Sequence, residues 1–201
     1  MLQLYFSAPA SAGDFFACYW VYIIKYLYPV GVMGLVSLLF PDWHVSSIAS
    51  IDPVELQKRG IKGIVFDLDN TIITWGSRSF SPQVMEWFSH LKKMGFHLCI
   101  LSNNTSGRVR GLARVLGVPA IPRAVKPRKK AFKKALRILG TSPEETAVIG
   151  DQIFTDILGG NRLGLYTILV FPMSRKEFIG TKMVRKLERF VLKKKGINAK
   201  S

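Results

Sequence analysis

The sequence predicts an α/β fold, a doubly wound parallel sheet with helices on both of its faces. Short apolar runs rich in β-branched residues, typical of buried strands, alternate along the chain with stretches of helical length. Polar loops that contain acidic residues directly follow several of these strands, as expected where a site forms at the carboxyl ends of parallel strands. The chain of 201 residues is long enough for one such domain.

The first part of the predicted domain alternates helix and strand. A short helix begins after Asp52, which precedes a proline suited to a first helical turn, and ends near Gly60. The run Gly63–Phe66 predicts a buried strand because it is short, apolar and β-branched. A helix over residues 81–95 then leads to a second apolar strand at His97–Leu101.

The middle of the chain adds two helices and a short strand. Ser106–Leu116 is predicted to be helical, and a short strand follows near residues 119–121. A basic helix covers residues 127–139 and ends at Gly140, since glycine is favoured just after a helix.

The last part of the chain predicts two further strands and a tail helix. Residues 142–145 (SPEE) have the pattern of a capping box, so we expect a helix to begin there, before a buried strand at residues 147–149. Residues 165–171 predict the last strand, and a basic amphipathic helix covers residues 177–192. This alternation completes the prediction of a parallel sheet with helices on both faces.

The composition indicates a folded, strongly basic protein. The formal net charge is +16, from 29 Lys+Arg and 13 Asp+Glu, yet 48% of the residues are hydrophobic, which excludes a disordered basic tail protein. The two cysteines exclude a disulfide scaffold and a zinc site with four thiolates. We therefore expect an anionic partner: nucleic acid, anionic lipid or a phosphorylated substrate.

An apolar segment at residues 15–40 predicts association with a membrane. As one helix it would be about 39 Å long, enough to cross a bilayer with tilt. Lys25 and the break at residues 29–31 equally fit two short helices lying in one leaflet, and a buried helix of the soluble core is the third alternative. No basic stretch precedes the segment, which argues against a cleaved signal peptide. If it spans, the positive-inside rule places the rest of the chain on the cytoplasmic (or matrix-equivalent) face.

Four loops that follow predicted strands carry polar side chains: residues 67–71 (DLDNT), residues 102–104 (SNN), Lys126 and residues 150–156 (GDQIFTD). Carboxylates clustered at one edge of the sheet repel each other unless a divalent cation with oxygen ligands holds them together. Of the two carboxylates in DLDNT, one can act as a nucleophile and the other as a general acid and base. DLDNT alone also fits a simple Asx turn, but four such loops in this order favour an active site.

The order DLDNT, LSNN, Lys126-Pro127 and GDQIFTD resembles the haloacid dehalogenase superfamily of phosphatases with an aspartate nucleophile. The longer runs LFPDWHVSSIASIDPVELQKRGIKGIVFDLDNTI and GDQIFTDILGGNRLGLYTILV resemble its capless branch, which contains phosphatidylglycerophosphate phosphatases. The resemblance covers about residues 39–192 and implies a Rossmann-like fold without a large cap. Together with the apolar segment, this range divides the chain into a membrane-associating segment (residues 1–40), a phosphatase domain (residues 41–192) and a basic tail (residues 193–201).

The resemblance implies a role for each acidic residue of these motifs. Asp67 attacks phosphorus and forms an aspartyl-phosphate, while Asp69 protonates the leaving alkoxide and then activates water. Mg²⁺ is held by Asp67, the backbone carbonyl of Asp69 and Asp151. Asp156 orients this shell from behind or reaches the metal through water.

The resemblance also implies which residues hold the phosphoryl group. Ser102 and the catalytic Lys126 bind it, and backbone N–H groups around Asn70 and Asn103 assist them. Apart from the resemblance, the three histidines (His44, His90 and His97) and Cys99 are interpreted as structural residues.

The short interval between Thr71 and Ser102 leaves no room for a large cap domain. An uncapped site can accept a headgroup that stays attached to a membrane. Trp75 and Arg78, in the loop after DLDNT, can then contact the lipid headgroup or the membrane interface. The alternative is that Trp75 only packs against its own loop.

These inferences predict a Mg²⁺-dependent phosphatase that converts phosphatidylglycerophosphate to phosphatidylglycerol, with an anionic membrane lipid as its substrate. The alternative keeps the chemistry but acts on nucleic-acid ends or on a soluble sugar or nucleotide phosphate. We do not expect nucleic acid, because basic and aromatic residues are not interleaved as they are in proteins that stack bases. A membrane-tethered binding module without catalysis is the third hypothesis. The oligomeric state is not predicted.

Overall fold

The structure, a computed structural model, describes residues 37–174. Its six strands form one parallel sheet in the order β1-β6-β5-β2-β3-β4. The strands are β1 (Trp43–Val45), β2 (Gly63–Phe66), β3 (His97–Leu101), β4 (Ala120–Ile121), β5 (Thr146–Gly150) and β6 (Tyr166–Val170). The α/β parallel-sheet prediction is confirmed.

Among the described residues, five α-helices connect the strands: α1 (Pro53–Lys58), α2 (Pro82–Lys93), α3 (Ser106–Leu116), α4 (Lys129–Leu139) and α5 (Leu158–Asn161). A 3-10 turn at Ile48–Ser50 precedes α1, and a π-helical turn at Ile153–Ile157 leads into α5. Two of the predicted signals for helix ends operate, at the start of α1 and at the end of α4. Asp52 caps α1 through a 2.9 Å hydrogen bond from the amide of Val54, and Gly140 ends α4 in the left-handed conformation.

Helices cover both faces of the sheet, as a doubly wound fold requires. On β2, Ile64 and Phe66 pack into the core formed with α1, α2 and α3, whereas Val65 points to the other face, where α4 packs. The ring centroids of Phe66 and Phe88 lie 4.7 Å apart. All four residues of β2 are buried because neighbouring strands and both helix layers enclose it.

The central position of β2 places the ends of three strands side by side. β2 pairs with β3 on one side and with β5 on the other, so that Phe66 lies opposite Ile100 and Ile149. The chain leaves all three strands at the same edge, because they are parallel. The loops after β2, β3 and β5 therefore meet at one place, where the order of connections reverses.

The helix that the SPEE pattern predicts at residues 142–145 is absent, and that prediction is wrong. The capping contact itself forms, since the amide of Ser142 donates to the carboxylate of Glu145 at 3.3 Å. The chain instead makes a turn, in which the amide of Thr146 donates to the carbonyl of Pro143. The carbonyl of Glu145 accepts from the amides at the start of β2, and Thr146 is already fully buried in β5. Pairing with the sheet outweighs the helical signal.

Besides the 3-10 turn at Ile48–Ser50, the sequence analysis missed β1 and the helical segment before β6. β1 is a three-residue edge strand, too short to show a period. The helical segment from the π turn through α5 contains Gly159 and Gly160, which weaken a helical pattern. These glycines permit close packing, because a Cβ at Gly159 would lie 2.3 Å from Phe132, and one at Gly160 would lie 2.5 Å from Val148.

Several predictions concern parts of the chain outside the described residues. They are the tail helix at residues 177–192, the basic tail, and the apolar segment at residues 15–40 except for its last four positions. Within residues 37–174, no helix is both long enough and apolar enough to cross a membrane. Between β2 and α2 the described chain contains no inserted domain, only the loop of residues 67–81 with one isolated bridge between Asp69 and Ile73.

Candidate active site

The structure brings the four polar loops together at the carboxyl edge of the sheet. They surround a cavity of about 330 Å³. Its lining includes Asp67, Asp69, Asn70, Ser102, Asn103 and Lys126. Every residue that the sequence predicts to contact a phosphoryl group therefore borders one cavity.

Asp67 is the first residue after β2 and lies at the bottom of this arrangement. Its amide continues the sheet by donating to the carbonyl of Ile149 at 2.9 Å, so its backbone position is fixed. Its carboxylate accepts hydrogen bonds from Lys126 Nζ at 2.5 Å and from Thr71 Oγ1 at 3.3 Å. Burial raises the pKa of Asp67 to about 6, although the positive charge of Lys126 opposes the rise.

Lys126 bridges two buried carboxylates. Its Nζ donates to Asp67 Oδ1 and, at 2.6 Å, to Asp156 Oδ1. Burial alone would lower the pKa of this ammonium, but attraction to Asp156 and Asp67 outweighs that cost and raises it. The side chain of Asn103 holds the backbone in place, since its Oδ1 accepts from the amide of Lys126 at 2.7 Å. The Lys126–Pro127 peptide bond is cis.

Three buried acids form a compact cluster beside the cavity. Asp67, Asp151 and Asp156 each offer a carboxylate oxygen, and these oxygens lie within 4.8 Å of one another. Thr71 Oγ1 lies within hydrogen-bond distance of both Asp67 and Asp151. Lys126 brings one positive charge to three carboxylates, which leaves an excess of negative charge in a buried place. An all-oxygen set with this charge fits a hard divalent cation such as Mg²⁺.

Asp156 belongs to this cluster rather than lying apart from it. Its Oδ1 accepts from Lys126, and its Oδ2 accepts from the amide of Gln152 at 3.3 Å. Gly150 makes the approach possible, because a Cβ at that position would lie 2.3 Å from the Asp156 carboxyl carbon. The glycine in GDQIFTD is thus required by the position of the aspartate at the other end of the motif.

Asp69 lines the cavity, and its hydrogen-bond partners lie on α3 and on the loop before it. Its carboxylate accepts from Arg108 Nη2 at 2.7 Å and from Asn104 Nδ2 at 2.9 Å. Arg108 was not identified by the sequence analysis. A signal for it existed, because an arginine in the first turn of a helix opposes the helix dipole and is stabilised by an acidic partner.

The remaining predicted residues lie at the wall of the cavity. Ser102 is buried at the end of β3, and its Oγ accepts from the amide of Asn104 at 3.1 Å. Asn70 adopts a left-handed conformation with φ of 62°, and its amide donates to the carbonyl of Ile73. That amide is used within the loop, which leaves the neighbouring N–H groups as the candidates for contact with a phosphoryl group.

Comparison with known proteins relates this site to phosphatases. A family model described as haloacid dehalogenase-like hydrolase matches residues 74–164, and one described as mitochondrial PGP phosphatase matches residues 30–113. The probable phosphatase YqeG of Bacillus subtilis is 42% identical over 165 residues, which are 81% of this chain and 96% of that protein.

Two further matches extend the comparison. Phosphatidylglycerophosphate phosphatase 1 (chloroplastic/mitochondrial) of Arabidopsis thaliana is 30% identical over 169 residues, or 79% of this chain; they make up 48% of that protein, so the chain spans about half of its length. The crystal structure of an uncharacterized protein from Listeria monocytogenes serotype 4b has a TM-score of 0.47 and 18% identity, covering 68% of this chain and 100% of that chain. Because it is 42% identical to YqeG over nearly the full length of that probable phosphatase and matches the hydrolase family model, the chain belongs to the haloacid dehalogenase-like hydrolases.

Proposed function

We propose that this phosphatase is a Mg²⁺-dependent phosphomonoesterase that removes the terminal phosphate of phosphatidylglycerophosphate and yields phosphatidylglycerol. The observation that carries the proposal is the contact of Lys126 with Asp67 at the bottom of an open cavity, beside a buried cluster of carboxylates. The 30% identity to a phosphatidylglycerophosphate phosphatase supports the choice of substrate.

The chemistry consists of two displacements at phosphorus. An Asp67 carboxylate oxygen attacks, the bond from phosphorus to the lipid oxygen breaks, and an aspartyl-phosphate forms. Asp69 supplies the proton that the departing alkoxide needs. Asp69 then accepts a proton from water, whose oxygen attacks phosphorus and releases inorganic phosphate and free Asp67.

Lys126 and Ser102 bind the phosphoryl oxygens during both displacements. The Lys126 ammonium is held by Asp67 and Asp156 before substrate arrives, so little reorganisation is needed when charge develops. N–H groups of the loops around Asn70 and Asn103 add further donors.

Three oxygen donors would hold the cation: the carboxylates of Asp67 and Asp151 and the backbone carbonyl of Asp69. Asp156 helps to orient these cation ligands through its contacts with Lys126 and the Gln152 amide. When bound, Mg²⁺ supplies positive charge that neutralises the phosphoryl oxygens and the clustered carboxylates.

The substrate is proposed to reach the cavity from a membrane. Within the described residues no inserted domain covers the opening, so a headgroup can enter while its acyl chains stay in the bilayer. Residues 1–40 would associate with the membrane and residues 41–192 would form the catalytic domain, followed by a basic tail at 193–201. The active site would then face the cytoplasm or an equivalent matrix.

Phosphate release from purified full-length protein tests the proposal. We expect Mg²⁺-dependent release from phosphatidylglycerophosphate in mixed micelles, loss of release in EDTA, and no release by Asp67→Asn. A sugar phosphate, a nucleotide and an oligonucleotide with a terminal phosphate form the comparison panel. Faster hydrolysis of a soluble ester or of the oligonucleotide would replace the lipid assignment. Unchanged turnover in Asp67→Asn would eliminate Asp67 as the nucleophile. Absence of turnover by the wild-type protein on every substrate of the panel would favour a binding module.

A further inference from the structure

Three large apolar side chains are exposed on segments that line or adjoin the cavity. Trp75, Val125 and Met173 are exposed to 41%, 52% and 48%. Trp75 lines the cavity and donates its amide to the side chain of Asn70, while the amide of Met173 donates to the Asn70 carbonyl. Val125 directly precedes Lys126. Trp75 thus lines the cavity, while Val125 and Met173 adjoin two of its lining residues, Lys126 and Asn70, and the three residues are named the apolar rim.

The backbone holds Val125 outward at a conformational cost. Val125 has a φ of 56° and Arg123 a φ of 49°, and a β-branched residue in this region is strained. The turn is fixed by hydrogen bonds to the loop after β3, from the amide of Arg123 to the Asn104 carbonyl and from Ala124 to Ser102. The same turn directs Lys126 into the site and leaves the valine side chain in solvent.

Exposed basic residues lie at both edges of the sheet, among them Lys62, Lys93 and Arg114 at the edge opposite the cavity. Exposed basic residues lie in the loops and first helical turns at the cavity edge: Arg78, Arg123, Arg128, Lys129 and Lys130. Three acids directly precede strands, and hence lie at the opposite edge: Asp42, Glu144 and Glu145. The other described acids outside the site are Asp52 and Glu55, at the start of α1, and Glu86, on α2. The surface around the opening is therefore cationic and complementary to an anionic surface.

We propose that the apolar rim is a docking surface for an anionic phospholipid bilayer. Trp75, Val125 and Met173 enter the headgroup region, and the surrounding basic side chains contact lipid phosphates. Exposed apolar residues beside cationic ones match the two layers of such an interface. Docking in this orientation turns the cavity toward the lipid, and this inference rests on the proposed lipid substrate.

A fluorescent label placed at the rim tests the docking. Val125→Cys, in a full-length chain that also carries Cys18→Ser, is labelled with the environment-sensitive dye NBD; the native Cys99 is fully buried. Val115→Cys in the same background is the matched control, since Val115 is exposed to 58% near the end of α3, at the opposite edge. Residues 1–40 are present in both proteins, so any attachment through them is equal. Met173→Cys provides a second rim position if Val125→Cys fails to fold.

We expect the NBD emission of the rim label to shift to the blue and to increase severalfold on vesicles of phosphatidylcholine and phosphatidylglycerol. The control label should not change, and vesicles of phosphatidylcholine alone should give a weaker response. Equal responses at both positions, or no response at the rim from a chain that binds the vesicles, would overturn the proposal. A rim response without vesicles that rises with protein concentration would identify a second copy as the occupant and would also overturn it.

The outcome is separate from that of the proposed function. Hydrolysis of phosphatidylglycerophosphate in detergent micelles does not require docking on a bilayer. An active enzyme whose rim label does not respond would refute the docking surface and leave the substrate standing. A responsive label on a protein that does not hydrolyse the lipid would refute the substrate assignment instead.

Discussion

Arg108 Nη2 donates to Asp69 Oδ1 at 2.7 Å, and this contact joins the first turn of α3 to the loop after β2. The second terminal nitrogen of Arg108 donates to the carbonyl of Ser77, in the same loop that carries Trp75. Both side chains of the ion pair are largely shielded from solvent. The arginine therefore fixes the direction of the carboxylate that is proposed to transfer protons.

Arg108→Gln should lower turnover of alkyl phosphates by about 10- to 100-fold, the loss expected for one charge-assisted hydrogen bond of about 1.5–3 kcal/mol. Aryl phosphates should be affected much less, because a phenolate leaves without a proton donor. The measurement is the dependence of kcat/KM on the pKa of the leaving alcohol, which should become steeper. Arg110→Gln, an exposed arginine on the same helix, is the control. An equal loss for alkyl and aryl substrates would indicate a structural role only.

Asp67→Asn should alter the pH dependence of stability as well as remove turnover. Because the pKa of Asp67 is raised to about 6 from 3.8, the folded protein keeps a proton there that the unfolded chain has lost. Stability therefore decreases as the pH rises from about 4 to about 6, and the asparagine variant lacks this decrease. In EDTA, the Tm of the variant should increase relative to wild type across that range. A constant difference would contradict the raised pKa.

Mg²⁺ should raise the Tm of the full-length protein, since an ion that binds the folded state alone stabilises it. At a concentration about 100 times the Kd, the gain is about 2.7 kcal/mol. Asp151→Asn should abolish the Mg²⁺-dependent part of the shift by removing one carboxylate from the cluster. Asp42→Asn, outside the cluster, is the control for loss of an acid. A full Mg²⁺ shift in Asp151→Asn would refute the assignment of Asp151 as a ligand.

The strands that position the site could be predicted because their signals are local. Gly63–Phe66 and His97–Leu101 are short apolar runs, and the structure has both strands with these bounds. Once the two strands are parallel and adjacent, the residues that follow them must lie at the same edge of the sheet. The cavity-lining positions Asp67 and Ser102 therefore followed from periodicity and the loop pattern alone.

The parts that could not be predicted depend on contacts distant in sequence. The place of Arg108 in a first helical turn indicates an acidic partner, but it does not identify Asp69, which Arg108 meets only when α3 packs beside the loop after β2. The failed helix at residues 142–145 has the same origin, because the Glu145 carbonyl is taken by the amides of Lys62 and Gly63. Local propensity was outweighed there by pairing with a strand more than eighty positions away.

Gly150→Ala should reduce activity through Asp156, although neither residue is proposed to touch the substrate. The added Cβ would lie 2.3 Å from the Asp156 carboxyl carbon, so this side chain must move, and with it the Lys126 ammonium that it holds. A displacement of about 1 Å at a catalytic group costs about 100-fold in rate, and overpacking costs about 1–3 kcal/mol of stability.

Gly111→Ala is the matched control, because a Cβ there meets nothing within 4 Å and alanine is favoured in α3 by about 0.5–1 kcal/mol. We expect Gly111→Ala to raise the Tm and to keep full phosphate release. Gly150→Ala should lower both the Tm and the rate of phosphate release. Full activity in Gly150→Ala would show that the position of Asp156 does not control Lys126.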